Sequence, residues 1–292
     1  MSSNPRLRAL SIAPAAQHWL NSTQEARVLY SFEAVVNLVN QDAHVLSLVD
    51  ERIGNGPFSI VLEEFPSGVH AESRLLVFEN GLWLDDWLID ADEAPLWQPI
   101  PDWASLHAAP GLVQHAAGDI SALLATHAPA DSLARLVLAA AGASTLPARI
   151  QQLAEQNIPL LLAGVQAHDN AKMTEAARKL AGIGPGLTPA GDDLLLGAMY
   201  GLWATQPPAS ALQSAETIAT VAIERTHALS AAWLAAGSRG EAAAPWHQLV
   251  AAIGTGDSAA VQSAALRILP TGHTSGADAL AGFMAVLQGS GA

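Results

Sequence analysis

The sequence predicts an α+β protein, with a β-rich N-terminal part followed by a mainly helical C-terminal part. Short runs of β-branched and aromatic residues separated by turn signals fill residues 26–103. From "PIPDW" (99–103) onward such runs nearly vanish, and Ala/Leu-rich segments with helical spacing take over. Alanine, leucine and glycine dominate while aromatics make up 5% of the chain, a composition that favours packed helices over a barrel. The expected organisation is an N-terminal extension over 1–25, a β-rich domain over 26–105 and a helical domain over 106–292 with glycine–aspartate loops.

Near the N-terminus, "RLRALSIAPAA" (6–16) faintly imitates a signal peptide, but Pro14 and the short apolar part argue against one. Strands are expected in "HVLSLV" (44–49), "PFSIVLEEF" (57–65), "RLLVF" (74–78) and "LWLDDWLI" (82–89). The turns between them are signalled by "GNGP", "PSG" and "ENG". Helices are expected near 119–127, 131–141, 147–156, 171–181, 188–205, 210–236, 257–268 and 275–288.

Composition narrows the function. The 292 residues carry a formal charge of -14 with only 13 Lys+Arg, so no basic footprint for nucleic acid exists. The absence of cysteine excludes disulfides, thiolate zinc sites and a cysteine nucleophile. No apolar run reaches the length of a membrane span, so a cytoplasmic protein is expected. The ten histidines show no HExxH spacing. Asp85, Asp86, Asp90, Asp92 and Glu93 lack EF-hand spacing and read as a solvated turn.

The chemistry concentrates in "AGIGPGLTPAGDDLLLG" (181–197). Gly182 suits a helix C-cap, and Thr188-Pro189 suits the start of the next helix. The exposed N–H groups there form an anion site, to which Gly184, Gly186, Thr188 and Gly191 would contribute. Gly191 is followed by Asp192 rather than Lys-Ser/Thr, so this is not a Walker loop. Aspartates in a first turn stabilise a helix by ~0.3–1 kcal/mol without any function. Here, however, Asp193, Gly197, Gly201 and Ala204 form one stripe of small residues that invites a close helix neighbour, while Asp192 points about 100° away. A divalent cation, most simply Mg²⁺, would reconcile Asp192 and Asp193 with a phosphate.

"TGHTSGADALAGFMAVL" (271–287) repeats the design. Taken alone, Ser275 and Asp278 read as a capping box. If the small faces of the two helices pack together, Asp192, Asp193 and Asp278 share a metal site. Thr274 and Ser275 then complete the anion site, and His273 is an acid/base group at its rim, with Asp193 as the catalytic carboxylate. Arg225, with Thr226 and Ser230, forms an anion clamp.

"GIGPGLTPAGDD", "RTHALSAAWLAAGSRGE" and "GHTSGADALAG", in that order, resemble the oxamate carbamoyltransferase subunit family of AllH type. "SFEAVVNLV" and "GNGPFSIVL" resemble its first domain, so the likeness runs from about residue 30 to 287. The resemblance implies a transferase role in allantoin (purine) catabolism. Oxalurate and phosphate would become oxamate and carbamoyl phosphate, in a complex with an acyl-CoA-synthetase-like protein and another subunit. The Ser-Thr-Arg-Thr loop of aspartate- and ornithine-type carbamoyltransferases is absent. Two rival readings stay open. One is a stand-alone Mg²⁺-dependent hydrolase loosely like ADP-ribosylglycohydrolases. The other is a non-catalytic assembly subunit whose glycines serve only helix packing.

Overall fold

A computed structural model describes residues 5–138 and 145–289. Its contacts define two compact units. One holds the residues up to Pro99 together with Ala242–Ala244, and the other holds Ile100–Glu241 and the residues from Pro245 onward.

The first unit is an eight-stranded sheet. Its strands are β1 (Arg6–Ile12), β2 (Ala26–Ser31), β3 (Val35–Asn40), β4 (Val45–Asp50), β5 (Ser59–Leu62), β6 (Leu75–Phe78), β7 (Gly81–Leu84) and β8 (Trp87–Asp90). They lie in the order β2-β3-β4-β5-β1-β8-β7-β6, with β4/β5 and β1/β8 parallel and the other pairs antiparallel. The sheet curls until its edge strands β2 and β6 approach each other, and α1 (Pro14–Ser22) packs against β4, β5 and β6. Trp19 of α1 is buried, and its indole N–H donates to the His44 carbonyl at 2.9 Å.

The expected extension over 1–25 is therefore corrected. Arg6–Ile12 is an inner strand, which pairs on one side with β5 and on the other with β8. Leu7 and Ala9 alternate with the exposed Arg6 and Arg8, the period of a strand with one buried face. The run 82–89 is a hairpin rather than one strand, because Asp85 takes the left-handed conformation (φ 51°) at its turn.

The second unit is helical, with no strand among its described residues. It contains α2 (Trp103–His107), α3 (Pro110–His127), α4 (Ala134–Val137), α5 (Ala148–Gln166), α6 (Asn170–Leu180), α7 (Ala190–Thr205), α8 (Pro208–Ile223), α9 (Ala228–Ser238), α10 (Ala244–Thr255), α11 (Ser258–Ile268) and α12 (Ser275–Gly289). The expected helix 210–236 is two helices broken at 224–227, and α10 lies where none was expected. α5 runs past its expected end because Pro159 is exposed while Ile158, Leu161 and Val165 continue the buried face. Of the expected helix 131–141, only α4 forms among the described residues, and 139–144 lie outside them.

At the centre, α7 and α12 form the principal helix pair. A Cβ on Gly197 would stand 1.8 Å from the Ala279 carbonyl oxygen, and one on Gly282 would stand 2.0 Å from that of Leu194. Gly201 faces Val286 and Phe283 one turn further along, so the two helices run parallel. Around them Trp103, Tyr200, Trp246 and Phe283 form a ring stack with successive centroids 5.7, 4.7 and 5.4 Å apart.

Gly197→Ala should destabilise the chain by about 1–3 kcal/mol or more, because backbone must move to admit one methyl. Gly118→Ala, at an exposed helical position with nothing within 4 Å, should be neutral or gain up to about 1 kcal/mol. Urea unfolding of both variants checks this, and equal effects would contradict the packing.

Candidate functional site

The loop between α6 and α7 begins as α6 ends on a left-handed glycine, Gly182 (φ 73°). Gly184 (φ 117°) and Gly186 (φ 99°) follow, in conformations that L side chains rarely adopt. A Cβ on Gly182 would meet the Arg225 carbonyl oxygen at 2.5 Å, and one on Gly184 would meet the Ala190 nitrogen at 2.8 Å. Gly191 is buried, with the Leu180 carbonyl oxygen 2.0 Å from where its Cβ would lie. Its N–H donates to Ile183, so it serves packing and not an anion.

Asp192 is buried and fully engaged. Oδ1 accepts the Gly182 N–H at 2.7 Å, while Oδ2 accepts the Ser230 hydroxyl at 2.7 Å and the Thr226 hydroxyl. The expected metal-ligand role of Asp192 is corrected accordingly, because its carboxylate ties the loop to α9 and to the 224–227 break. Thr226 and Ser230 therefore face Asp192 and do not form a clamp with Arg225. Burial raises the Asp192 pKa above the ordinary carboxylate range, and these three donors offset the rise only in part.

The expected convergence of the two loops is present. The Thr188 and Ser275 hydroxyls are hydrogen-bonded to each other at 2.9 Å, and both hydrogen-bond the Asp193 carboxylate. Asp193 is pushed well above the ordinary carboxylate range, first by burial and then by the charges of Asp278 and Asp192. Asp278 is raised to about 6 by burial, against donors from Ser132, Thr274 and the Leu133 and Ala134 N–H groups. Its Oδ1 accepts Ser132 Oγ at 2.6 Å and Leu133 N at 2.7 Å, so Asp278 docks the segment before α4 and does not form a capping box with Ser275. One oxygen on each carboxylate, Asp193 Oδ2 and Asp278 Oδ2, is buried without a hydrogen-bond partner. Among the described residues no group of three acidic or histidine side chains is placed to hold a metal.

His273 is exposed and pairs with Asp131 at 2.9 Å. Asp131, Ser132 and Leu133 were missed in the sequence because nothing local marks a segment whose partners lie about 145 residues away. Arg225 and Gly184 line a cavity on the other side of the loop, together with Arg149, Arg178 and Lys179.

The two loops belong to an internal repeat. "GDDLLLGAM" (191–199) and "GADALAGFM" (276–284) share the pattern G-x-D-x-L-x-G-x-M. The preceding helices match as well: Asp169 and Asp257 cap α6 and α11, each accepting from the second and third N–H. Their buried faces also correspond, Met173, Ala176, Ala177 and Leu180 against Val261, Ala264, Ala265 and Ile268. A Cβ on Gly276 would stand 2.1 Å from the Ile268 carbonyl oxygen, just as one on Gly191 would stand 2.0 Å from that of Leu180. The reciprocal contacts of Gly197 and Gly282 place an approximate two-fold axis between α7 and α12.

Raised carboxyl pKa values mean that the folded state holds protons the unfolded state has released. Stability should therefore fall as pH rises from about 4 through the folded pKa, by about 3 kcal/mol for a group shifted like Asp278 from 3.8 to about 6. Asp278→Asn should flatten that decline. Urea unfolding between pH 4.5 and 8 in chelator-treated buffer tests it, and parallel profiles for the two proteins would refute it.

No curated protein and no solved structure matches the chain. A family model, described as oxamate carbamoyltransferase subunit AllH, matches residues 180–287. The helical segment that holds both loops, from the end of α6 through most of α12, thus carries the sequence pattern of the oxamate carbamoyltransferase subunit AllH family, the family the sequence resembles.

Proposed function

We propose that this chain is a cytoplasmic subunit of an oxamate carbamoyltransferase complex that converts oxalurate and phosphate to oxamate and carbamoyl phosphate. The observation behind this reading is that the family match spans the two loops whose helix N-termini meet at Thr188 and Ser275. Partner subunits, one of them acyl-CoA-synthetase-like, would complete the site.

In this reading a phosphate oxygen attacks the terminal carbamoyl carbon of oxalurate, and the C–N bond to the oxamate nitrogen breaks. That nitrogen takes a proton from His273, whose ring Asp131 orients. Loop N–H groups at Gly184 and Gly186 and the hydroxyls of Thr188, Thr274 and Ser275 surround the anion. Asp193 positions the hydroxyls of Thr188 and Ser275, since it is hydrogen-bonded to both.

Mg²⁺ at this site would draw on Asp193 and Asp278, whose orphaned oxygens fit a cation, and not on Asp192. When bound it would supply positive charge that offsets the two carboxylates beside an incoming phosphate.

Reconstitution with and without the partner subunits tests the function as phosphate-dependent oxalurate breakdown. His273→Gln should lower kcat about 10²–10⁴-fold with little change in KM for phosphate, and full activity in this variant would remove the proton role. Calorimetric titration of Mg²⁺ should give saturable binding that Asp193→Asn weakens. No heat with the unsubstituted chain would dispose of the metal.

A further inference from the structure

The cavity beside the first glycine loop has a volume of about 440 Å³, within the roughly 300–1,000 Å³ of small-molecule sites. Four cations line it: Arg149 at the start of α5, Arg178 and Lys179 in the last turn of α6, and Arg225 just after α8. Among the described residues its lining contains no acidic one. Among the described residues none of the four forms an ion pair or a side-chain hydrogen bond, although the whole chain has only 13 Lys+Arg against 27 Asp+Glu.

Simpler explanations cover only part of this cluster. Cations in a last turn are favoured by the helix dipole, which accounts for Arg178 and Lys179. The same field disfavours Arg149, which stands in the first turn of α5. Nor is the loop needed merely to reverse the chain. Its counterpart in the repeat joins α11 to α12 with three fewer residues, and there Arg267, the equivalent of Lys179, is bonded to Gln248 at 3.0 Å. The cavity wall is also held in place, because the Gly182 N–H is bound by Asp192 and the Arg225 carbonyl lies against Gly182.

We propose that this cavity binds a small anion carrying two negatively charged groups. Four unpaired cations exceed the charge of one phosphate, and Arg149 and Arg178 stand on different helices, so each can take its own anionic group through paired N–H donors. The assignment rests on reading the glycine loop as an anion cradle and is independent of the carbamoyl reaction.

Pyrophosphate serves as the two-group probe and inorganic phosphate as the one-group control, each titrated calorimetrically into the full chain at constant ionic strength. Pyrophosphate should saturate at one per chain and bind about 10-fold more tightly than phosphate. Arg149→Gln and Arg178→Gln, both at exposed positions, should each weaken it by about 10-fold. Arg27→Gln, on exposed β2 surface, should leave it unchanged. Non-saturating heats, or equal affinities across all four proteins, would overturn the proposal. Lost binding with intact reconstituted turnover would sink the cavity alone, whereas binding without turnover would sink the reaction and leave the cavity standing.

Discussion

The helical unit depends on backbone touching backbone between α7 and α12. Gly197 and Gly282 each sit where the partner's carbonyl leaves no room for a Cβ, so the two axes come closer than ordinary side-chain packing allows. Because the helices run parallel, their positive ends lie side by side, an arrangement that costs electrostatic energy unless negative charge is near. Asp192, Asp193 and Asp278 stand in those first turns and are all buried. Close packing, parallel direction and buried carboxylates are thus one design, and each element makes the others tolerable.

The three carboxylates divide the work. Asp192 spreads its two oxygens over three donors and fixes the loop to α9. Asp278 fastens the segment before α4. Asp193 holds the hydroxyl pair that links the two loops and keeps one oxygen unengaged. The two-fold repeat supplies a common frame, and the extra residues of the first loop, together with the cations beside them, make its two halves unequal.

Much of this could be read in the sequence. The composition break near residue 99, the strands 44–49 and 74–78, and the small-residue stripes through Gly197 and Gly282 all have local signatures, namely short apolar runs between turn residues, period 3.6 and a missing Cβ. The convergence of Thr188, Asp193, Ser275 and Asp278 followed from the stripes, because close parallel packing brings helix N-termini together. What stayed hidden depends on distant partners. Arg6–Ile12 looks like a leader until β5 and β8 flank it. Asp192 looks like a metal ligand until Thr226 and Ser230 reach it from the far side of α8. The break at 224–227 has no proline or glycine to announce it, since tertiary hydrogen bonds to Asp192 and the close approach to Gly182 hold it.

The cationic cavity also bears on how a ligand arrives. The chain as a whole is strongly negative, so at low ionic strength its long-range field slows the approach of any anion. Within about 10 Å, the screening length at 0.1 M salt, the local cluster prevails and captures it. Added salt then has opposite effects on the two stages, easing diffusion toward the protein while loosening the hold once contact is made. An anion would therefore be held most tightly at intermediate ionic strength, a salt dependence that a uniformly basic protein cannot produce.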